Sequence, residues 1–293
     1  MHAGVPENKE ILIKFTGLFV DIMCQVNPDF KQHVRHEGKI KVLYVRVVRA
    51  IYGCIYSALL WYQLFSSTLY KMGFELNPYN RCVANKIING KQCTLVWYVD
   101  DLKISHVDKE VVMSILKDLE GEFGLLPIKT SDDLEFLSIN FQFTDKGTVQ
   151  LYCRHQIEEA IDMFPEQINR EVSSPAAHGL FKTPANAIPL NEERAKIFHS
   201  IVMKLMWLEK RTRPDLELSI SFLSSRVKQP MDSDWAKLKR VLQYLYSTID
   251  EVRIIGIDDL NGMFTWVDAS YAIHGNMRGH TGGCMSMGTG TLH

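Results

Sequence analysis

The chain has 293 residues, 46% of them hydrophobic and 23% charged, the make-up of a soluble globular protein with room for two domains or three small ones. Its 33 Lys and Arg against 34 Asp and Glu give a net charge of −1, which excludes a strongly basic chain, so any affinity for a phosphate backbone has to come from a local basic groove. The cysteines, Cys24, Cys54, Cys82, Cys93, Cys153 and Cys284, form no CxxC pair and no ladder of spacings, which speaks against a zinc site or a disulfide framework and suits reduced, buried thiols in an intracellular protein.

No secretory pattern occupies the first residues, because the apolar run Ile11 to Val20 is broken by Lys14, Thr16 and Gly17, and no window reaches membrane-spanning length. Glu10 to Phe15 and Asp21 to Val26 read as strands with a Thr16-Gly17 break, and Val42 to Val48 is a further β-prone run leading into Arg49-Ala50-Ile51-Tyr52-Gly53. From Ser57 the period becomes helical: Leu60 and Leu64 lie one turn apart, and Leu59, Trp61, Phe65 and Leu69 widen the apolar stripe as far as Gly73.

Asn89-Gly90 is the dipeptide best suited to the two positive φ angles of a tight hairpin, so 82–88, 91–99 and 102–106 read as three antiparallel strands. The last two are joined by Asp100-Asp101. Adjacent carboxylates are disfavoured at a strand end and repel each other, so the pair is either a solvated turn or a cation site, and Mg²⁺ takes one or two carboxylates together with substrate phosphates. That combination points to phosphoryl transfer.

Asp108 is a candidate N-cap for a helix over 108–124, with Val111, Ile115, Leu119 and Phe123 on one face and Gly124 closing it. Leu137, Ile139, Phe141 and Phe143 alternate with Ser138, Asn140 and Gln142 as one strand, which Asp145-Lys146-Gly147 turns into a second, Val149, Leu151, Cys153. A short helix follows over 154–164. Beyond Pro165 the texture is that of a linker or extended arm, then 192–210, 214–227 and 232–249 read as helices. Residues 253–257 and 263–267 read as strands, followed by Asp268-Ala269-Ser270-Tyr271 and His280-Thr281-Gly282-Gly283. Lys204, Lys210, Arg211, Arg213, Arg226, Lys228, Lys237, Lys239 and Arg240 concentrate in the helical block, where they suit either phosphate contacts or solvated helix faces.

Several strings together resemble a known family over nearly the whole chain. Tyr98-Val99-Asp100-Asp101 is similar to the polymerase motif of reverse transcriptases. The run from Ile51 to Tyr62, IYGCIYSALLWY, resembles the copia-type segment LYGLKQAxRxW: Tyr52, Gly53 and Trp61 match, whereas Ile55 and Tyr56 stand where the family has Lys and Gln. The hairpin formed by these two strands, 137–143 and 149–153, resembles the FLGxxxxF element, with Ser138 in place of Gly. TRPDLELSISFLSS and DWAKLKRVLQYL are similar to the TRPDIxxAVxxLSR and HWxAxKRVLRYL segments that join polymerase to ribonuclease H, and Asp268 with His280 to Gly283 resembles the start of that nuclease.

The resemblance implies an α+β protein of the copia-type retrotransposon polyprotein. It implies a partial palm and fingers over 1–164, a linker over 165–191, a thumb- or connection-like helical region over 192–250, and a ribonuclease H-like start over 251–293. It implies RNA-directed DNA polymerisation with Mg²⁺, Mn²⁺ being an alternative, on an RNA template, a DNA primer and deoxynucleotides, in the cytoplasm within a virus-like particle or in the nucleus. Asp100 and Asp101 become catalytic metal ligands, Asp268 a nuclease metal ligand, Tyr98, Tyr52 and Gly53 nucleotide or template contacts, and Lys129 a candidate general acid for the pyrophosphate leaving group.

Two-metal chemistry takes a third carboxylate from a separate strand. In the family it comes from a DVxxAFL-type segment that is not found here; Asp21 and Asp29 are the only aspartates upstream of Asp100. The expectation is therefore a polyprotein piece whose missing carboxylate falls before Met1 and whose remaining nuclease ligands fall after His293, inactive as it stands. A non-catalytic nucleic-acid-binding or degenerate retroelement product is the alternative.

Overall fold

Asn89 and Gly90 both adopt left-handed backbone, φ 52° and 73°, and close the central hairpin in the register that the Asn-Gly signal predicts. This hairpin belongs to the first of the two units, Met1–Ile128 and Lys129–His293, into which the chain divides. The computed structural model describes Gly4 and residues 10–51, 53–275 and 277–292. The fold is α+β, with antiparallel sheets and packed helices, and among the described residues no helix is long and apolar enough to cross a membrane.

The first unit begins with β1 (Leu12–Thr16), α1 (Leu18–Val26), β2 (Arg35–Glu37) and β3 (Ile40–Arg46), whose strands form a sheet in the order β1-β3-β2. The expected strand over 21–26 is thus a helix. Val20 and Cys24 are both buried beside Leu43 while Ile22 between them is exposed; a strand would put all three on one face, whereas a helix turns Ile22 away from the other two. Gly17, at φ 57°, allows the chain to leave β1 and enter the helix directly. The apolar content that reads as β-prone here, Leu18, Phe19, Ile22 and Val26, stays exposed on the other face.

The remainder of this unit is α2 (Ile55–Lys71), β4 (Glu75–Leu76), β5 (Val83–Ile88), β6 (Lys91–Tyr98), β7 (Asp101–Ser105) and α3 (Lys109–Phe123). The sheet order is β4-β5-β6-β7, all antiparallel. Cys93, Leu95 and Trp97 of β6 meet Phe65 and Leu69 of α2 and Ile115, Leu119 and Phe123 of α3 in one core. Asp108 caps α3 by accepting from the Glu110 amide at 2.9 Å, and Gly124 ends it at φ 80°.

The second unit opens with β8 (Asp133–Phe136), β9 (Ile139–Phe143), β10 (Val149–Tyr152) and α4 (Arg154–Asp162). The single alternating strand expected over 137–143 is instead a hairpin corner: Leu137 and Ser138 both take positive φ, 52° and 62°, and pair Phe136 with Ile139 across a two-residue turn. Alternation over seven residues concealed the break because a two-residue turn preserves the period of two on either side.

Helices α5 (Glu192–Glu209), α6 (Glu217–Arg226) and α7 (Asp232–Ser247) follow, then β11 (Arg253–Ile255), which adds to β10 in the sheet β11-β10-β9-β8. Pro214 starts a short 3-10 turn ahead of α6 and does not begin an α-helix there. One core joins Ile157, Ala160 and Phe164 with Phe198, Leu205, Ile220, Trp235 and Leu242, so it spans the edge at 164/165 and takes in Ile168 and Leu180 from the arm. The last sheet is β12 (Phe264–Ser270) paired with β13 (His280–Ser286); β12 runs three residues past the expected strand end, and Asp268 lies within it.

Ser138 is held in the left-handed region that a glycine occupies without cost. Ser138→Gly is therefore expected to stabilise the chain by about 0.5 kcal/mol, the relief of strain exceeding the added freedom of the unfolded chain. A rise of about 1–2 °C in Tm checks it, and an unchanged or lower Tm would count against strain at this turn.

Candidate active site

The register of β6 against β7 sets which side chains share a face. Trp97 pairs with Leu102 and Leu95 with Ile104 on the core side; Tyr98 pairs with Asp101, Val96 with Lys103 and Thr94 with Ser105 on the other. The outer face is polar: Thr94 donates to Asn85 at 2.8 Å, Gln92 donates to Thr94 at 3.0 Å, and Lys103 Nζ donates to Ser105 Oγ at 3.0 Å. Burial holds the Lys103 ammonium below the usual lysine range. Asp101 thus shares a sheet face with Tyr98 and a half-buried lysine, and Asp100 sits in the turn beside it, with both aspartates exposed.

The turn is a two-residue loop, Val99-Asp100. Val99 has φ 54° and Asp100 is not among the residues of positive φ, the sign pattern of a type II′ turn. Trp61 of α2 donates its indole N–H to the Val99 carbonyl. Its ring packs on Phe65, centroids 5.5 Å apart, and edge-on to Phe123 at 5.2 Å, while Phe65 meets Trp97 at 5.2 Å. The hairpin therefore rests on an aromatic plate. Gly53, at φ 83°, lies in the loop ahead of α2, which Ser57 ties down by bonding both the amide and the carbonyl of Ile51. Tyr52 lies outside the described residues.

The structure brings Tyr98, Asp100 and Asp101 together on one hairpin. No group of three or more His, Cys, Asp or Glu that could hold a metal ion occurs among the described residues. Asp21 is paired with Lys41 at 2.9 Å, and Asp29 lies in the first turn of a 3-10 segment. The residues at the turn thus supply two of the carboxylates that a pair of Mg²⁺ ions takes and do not by themselves fit that pair. Asp268 and Lys129 are exposed and belong to the second unit, Asp268 in β12 opposite Gly282 and accepting from the Ala269 amide at 2.8 Å.

Two features escaped the sequence reading. Lys103 was legible in principle, since it lies two residues past Asp101 and a strand repeats every two. Trp61 fits the apolar stripe of α2 by spacing alone, and its hydrogen bond to the turn leaves no local signal in the sequence.

The basic residues of the helical block are largely engaged within their own unit. Lys204 pairs with Glu159, Lys239 with Glu166, Lys210 with Glu209 and Glu217, and Arg226 and Lys237 with the fully buried Asp234. Arg211 stacks on Trp207 at 4.5 Å. Arg213, 2% exposed, donates to both oxygens of Asp215 and to the carbonyl and hydroxyl of Thr248, and lies over the Tyr244 ring.

No protein-family model and no solved structure matches the chain. Among curated proteins it is 24% identical over 259 residues to the retrovirus-related Pol polyprotein from transposon TNT 1-94 of Nicotiana tabacum, an alignment covering 86% of this chain and 19% of that one. It is 24% identical over 244 residues to a transposon Ty5-1 protein of Saccharomyces cerevisiae, covering 81% of this chain and 76% of the relative. It is 27% identical over 229 residues to the retrovirus-related Pol polyprotein from transposon RE2 of Arabidopsis thaliana, covering 78% and 15%. The chain thus spans less than a fifth of the RE2 polyprotein and 19% of the tobacco one. Its homologues are retrotransposon Pol polyproteins, which gives it a retroelement origin.

Arg213 tests the division between structural and ligand-binding charge. Removing it leaves Asp215 and the Thr248 carbonyl without their donor, so Arg213→Ala is expected to cost about 2–3 kcal/mol in urea unfolding. Arg213→Lys recovers little of it, because a lysine cannot reproduce the two-pronged contact. An alanine variant of unchanged stability would free Arg213 for a role at the surface.

Proposed function

We propose that the chain is the reverse transcriptase segment of a copia-type Pol polyprotein, an RNA-directed DNA polymerase that uses Mg²⁺, with Mn²⁺ as a substitute, to add deoxynucleotides to a DNA primer on an RNA template. The observation that carries this reading is the placement of Asp100 and Asp101: adjacent carboxylates on the exposed turn of a hairpin whose other face is buried, with Tyr98 and Lys103 on the face of Asp101. Like charges side by side repel, and a bound cation is what would offset that repulsion here. The retroelement origin of its relatives supports it from a separate direction.

Nucleotide addition through two cations takes a further carboxylate, and the described residues bring none to the turn. We therefore assign to this chain the binding of a template–primer hybrid and place nucleotide addition beyond what its own described residues accomplish. A second reading, a non-catalytic nucleic-acid-binding or degenerate retroelement product, is favoured by Ile55, which is 94% exposed at the start of α2 where the resembled family carries a lysine.

The purified chain is expected to retain an RNA–DNA hybrid at low salt and release it as salt rises, with log affinity falling linearly in log salt. With Mg²⁺, primer and all four deoxynucleotides it is expected to give no extension. Robust extension, abolished by Asp100→Asn or Asp101→Asn, would establish the polymerase and overturn the account of the missing carboxylate. Failure to retain the hybrid at low salt would remove both readings.

A further inference from the structure

We infer that Trp61 is a positioning residue for the aspartate turn: its indole N–H fixes the Val99–Asp100 peptide and thereby sets the direction of Asp100. The inference rests on the proposed role of the hairpin in its link to metal, and on geometry alone in its link to the turn.

Val99 is β-branched and yet takes φ 54°. Such a residue at positive φ is strained and persists only where its surroundings impose it. Its own side chain does not impose it, since Val99 is 47% exposed. The first position of a II′ turn is ordinarily glycine for this reason.

What the surroundings supply is a donor. Types I′ and II′ both have positive φ at the first turn residue and differ by a flip of the central peptide, which reverses the first residue's carbonyl and changes the sign of φ at the second. Trp61 donates to that carbonyl, Val99 O, and so selects one of the two flips. With the carbonyl held toward α2, Asp100 keeps negative φ and its side chain leaves the turn in one direction; with the peptide flipped, Asp100 would join Val99 in the left-handed region. The donor is itself immobilised, because the Trp61 ring is packed between Phe65 and Phe123. A contact between residues 38 apart in sequence therefore bears on the direction of the Asp100 side chain through the peptide that joins it to Val99.

The test uses the full chain and nuclear magnetic resonance. In the parent, the Trp61 indole proton is expected to exchange with water at least tenfold more slowly than a free indole; exchange at the free rate would overturn the inference whether or not any variant folds. Trp61→Phe keeps an aromatic ring and removes the donor. It is expected to shift the backbone carbons and couplings of Val99 and Asp100, and to weaken at least fivefold the broadening that added Mn²⁺ causes at the amides of Tyr98 to Leu102. Val99→Gly, placed in the Trp61→Phe chain, is expected to restore the broadening, because glycine adopts the turn without support.

Unchanged turn signals in Trp61→Phe would overturn the inference, as would a loss that Val99→Gly does not restore, which would make Trp61 a packing residue only. If the turn signals move while Mn²⁺ broadens nothing even in the parent, the positioning role stands and the metal role of the hairpin in the proposed function falls.

Discussion

Because side chains alternate along a strand, sinking Cys93, Leu95 and Trp97 into the core of the first unit commits Thr94, Val96 and Tyr98 to the opposite face. The antiparallel register then carries that commitment across to Ser105, Lys103 and Asp101. A slip of one residue would turn Asp101 and Lys103 toward Phe65, Leu69 and Phe123, at a cost of several kcal/mol, on the order of that for burying unpaired charge. The register is pinned at one end by the left-handed pair Asn89-Gly90 and at the other by the hydrogen bond from Trp61. The exposure of the aspartates is thus a by-product of where the apolar residues fall in β6.

The second unit resolves its charge differently. A sequence in which nine Lys and Arg crowd three helices reads as a surface for nucleic acid, and seven of them, all but Lys228 and Arg240, turn out to be paired or stacked within the unit. Asp234 is the clearest instance: fully buried at the start of α7, it accepts from the Met231 amide at 3.0 Å and is flanked by Arg226 and Lys237. Arg213 closes the end of α7 by binding Thr248 while its guanidinium lies on Tyr244. A charge with that many fixed partners has little to offer a phosphate, since moving it would strand the partners in a dry setting.

Where sequence alone succeeded, the signal was local and chemically specific. Asn89-Gly90, the Asp108 cap, Gly124 and the stripe Ile115, Leu119, Phe123 each name one backbone geometry, and the α+β class and the three strands around the aspartates follow from them. It failed where two geometries share a pattern. Residues 21–26 form a short, mostly apolar run, and what separates helix from strand there, the exposure of Ile22 between the buried Val20 and Cys24, has no signal in the sequence. Residues 137–143 alternate faithfully through a turn, and only the left-handed backbone at Leu137 and Ser138 marks the corner. At the candidate site the aspartates were legible and their support was not, because the bond from Trp61 joins elements that the sequence cannot place side by side.

That bond also sets apart, on one helix, positions that depart from the resembled family's pattern and one that keeps it. The positions that differ, Ile55 and Tyr56, are exposed, at 94% and 40%, at the very start of α2. The position that matches, Trp61, lies between one and two turns later on the same helix, packed on Phe65 and Phe123 and bonded to Val99. A helix can carry both because its faces are independent: exchanging an exposed polar side chain for Ile55 leaves the aromatic plate untouched, whereas exchanging Trp61 would release the turn. The shape of the hairpin and the contacts made by the surface around it are therefore separable properties of this chain, and a loss of the second gives no reason to expect a loss of the first.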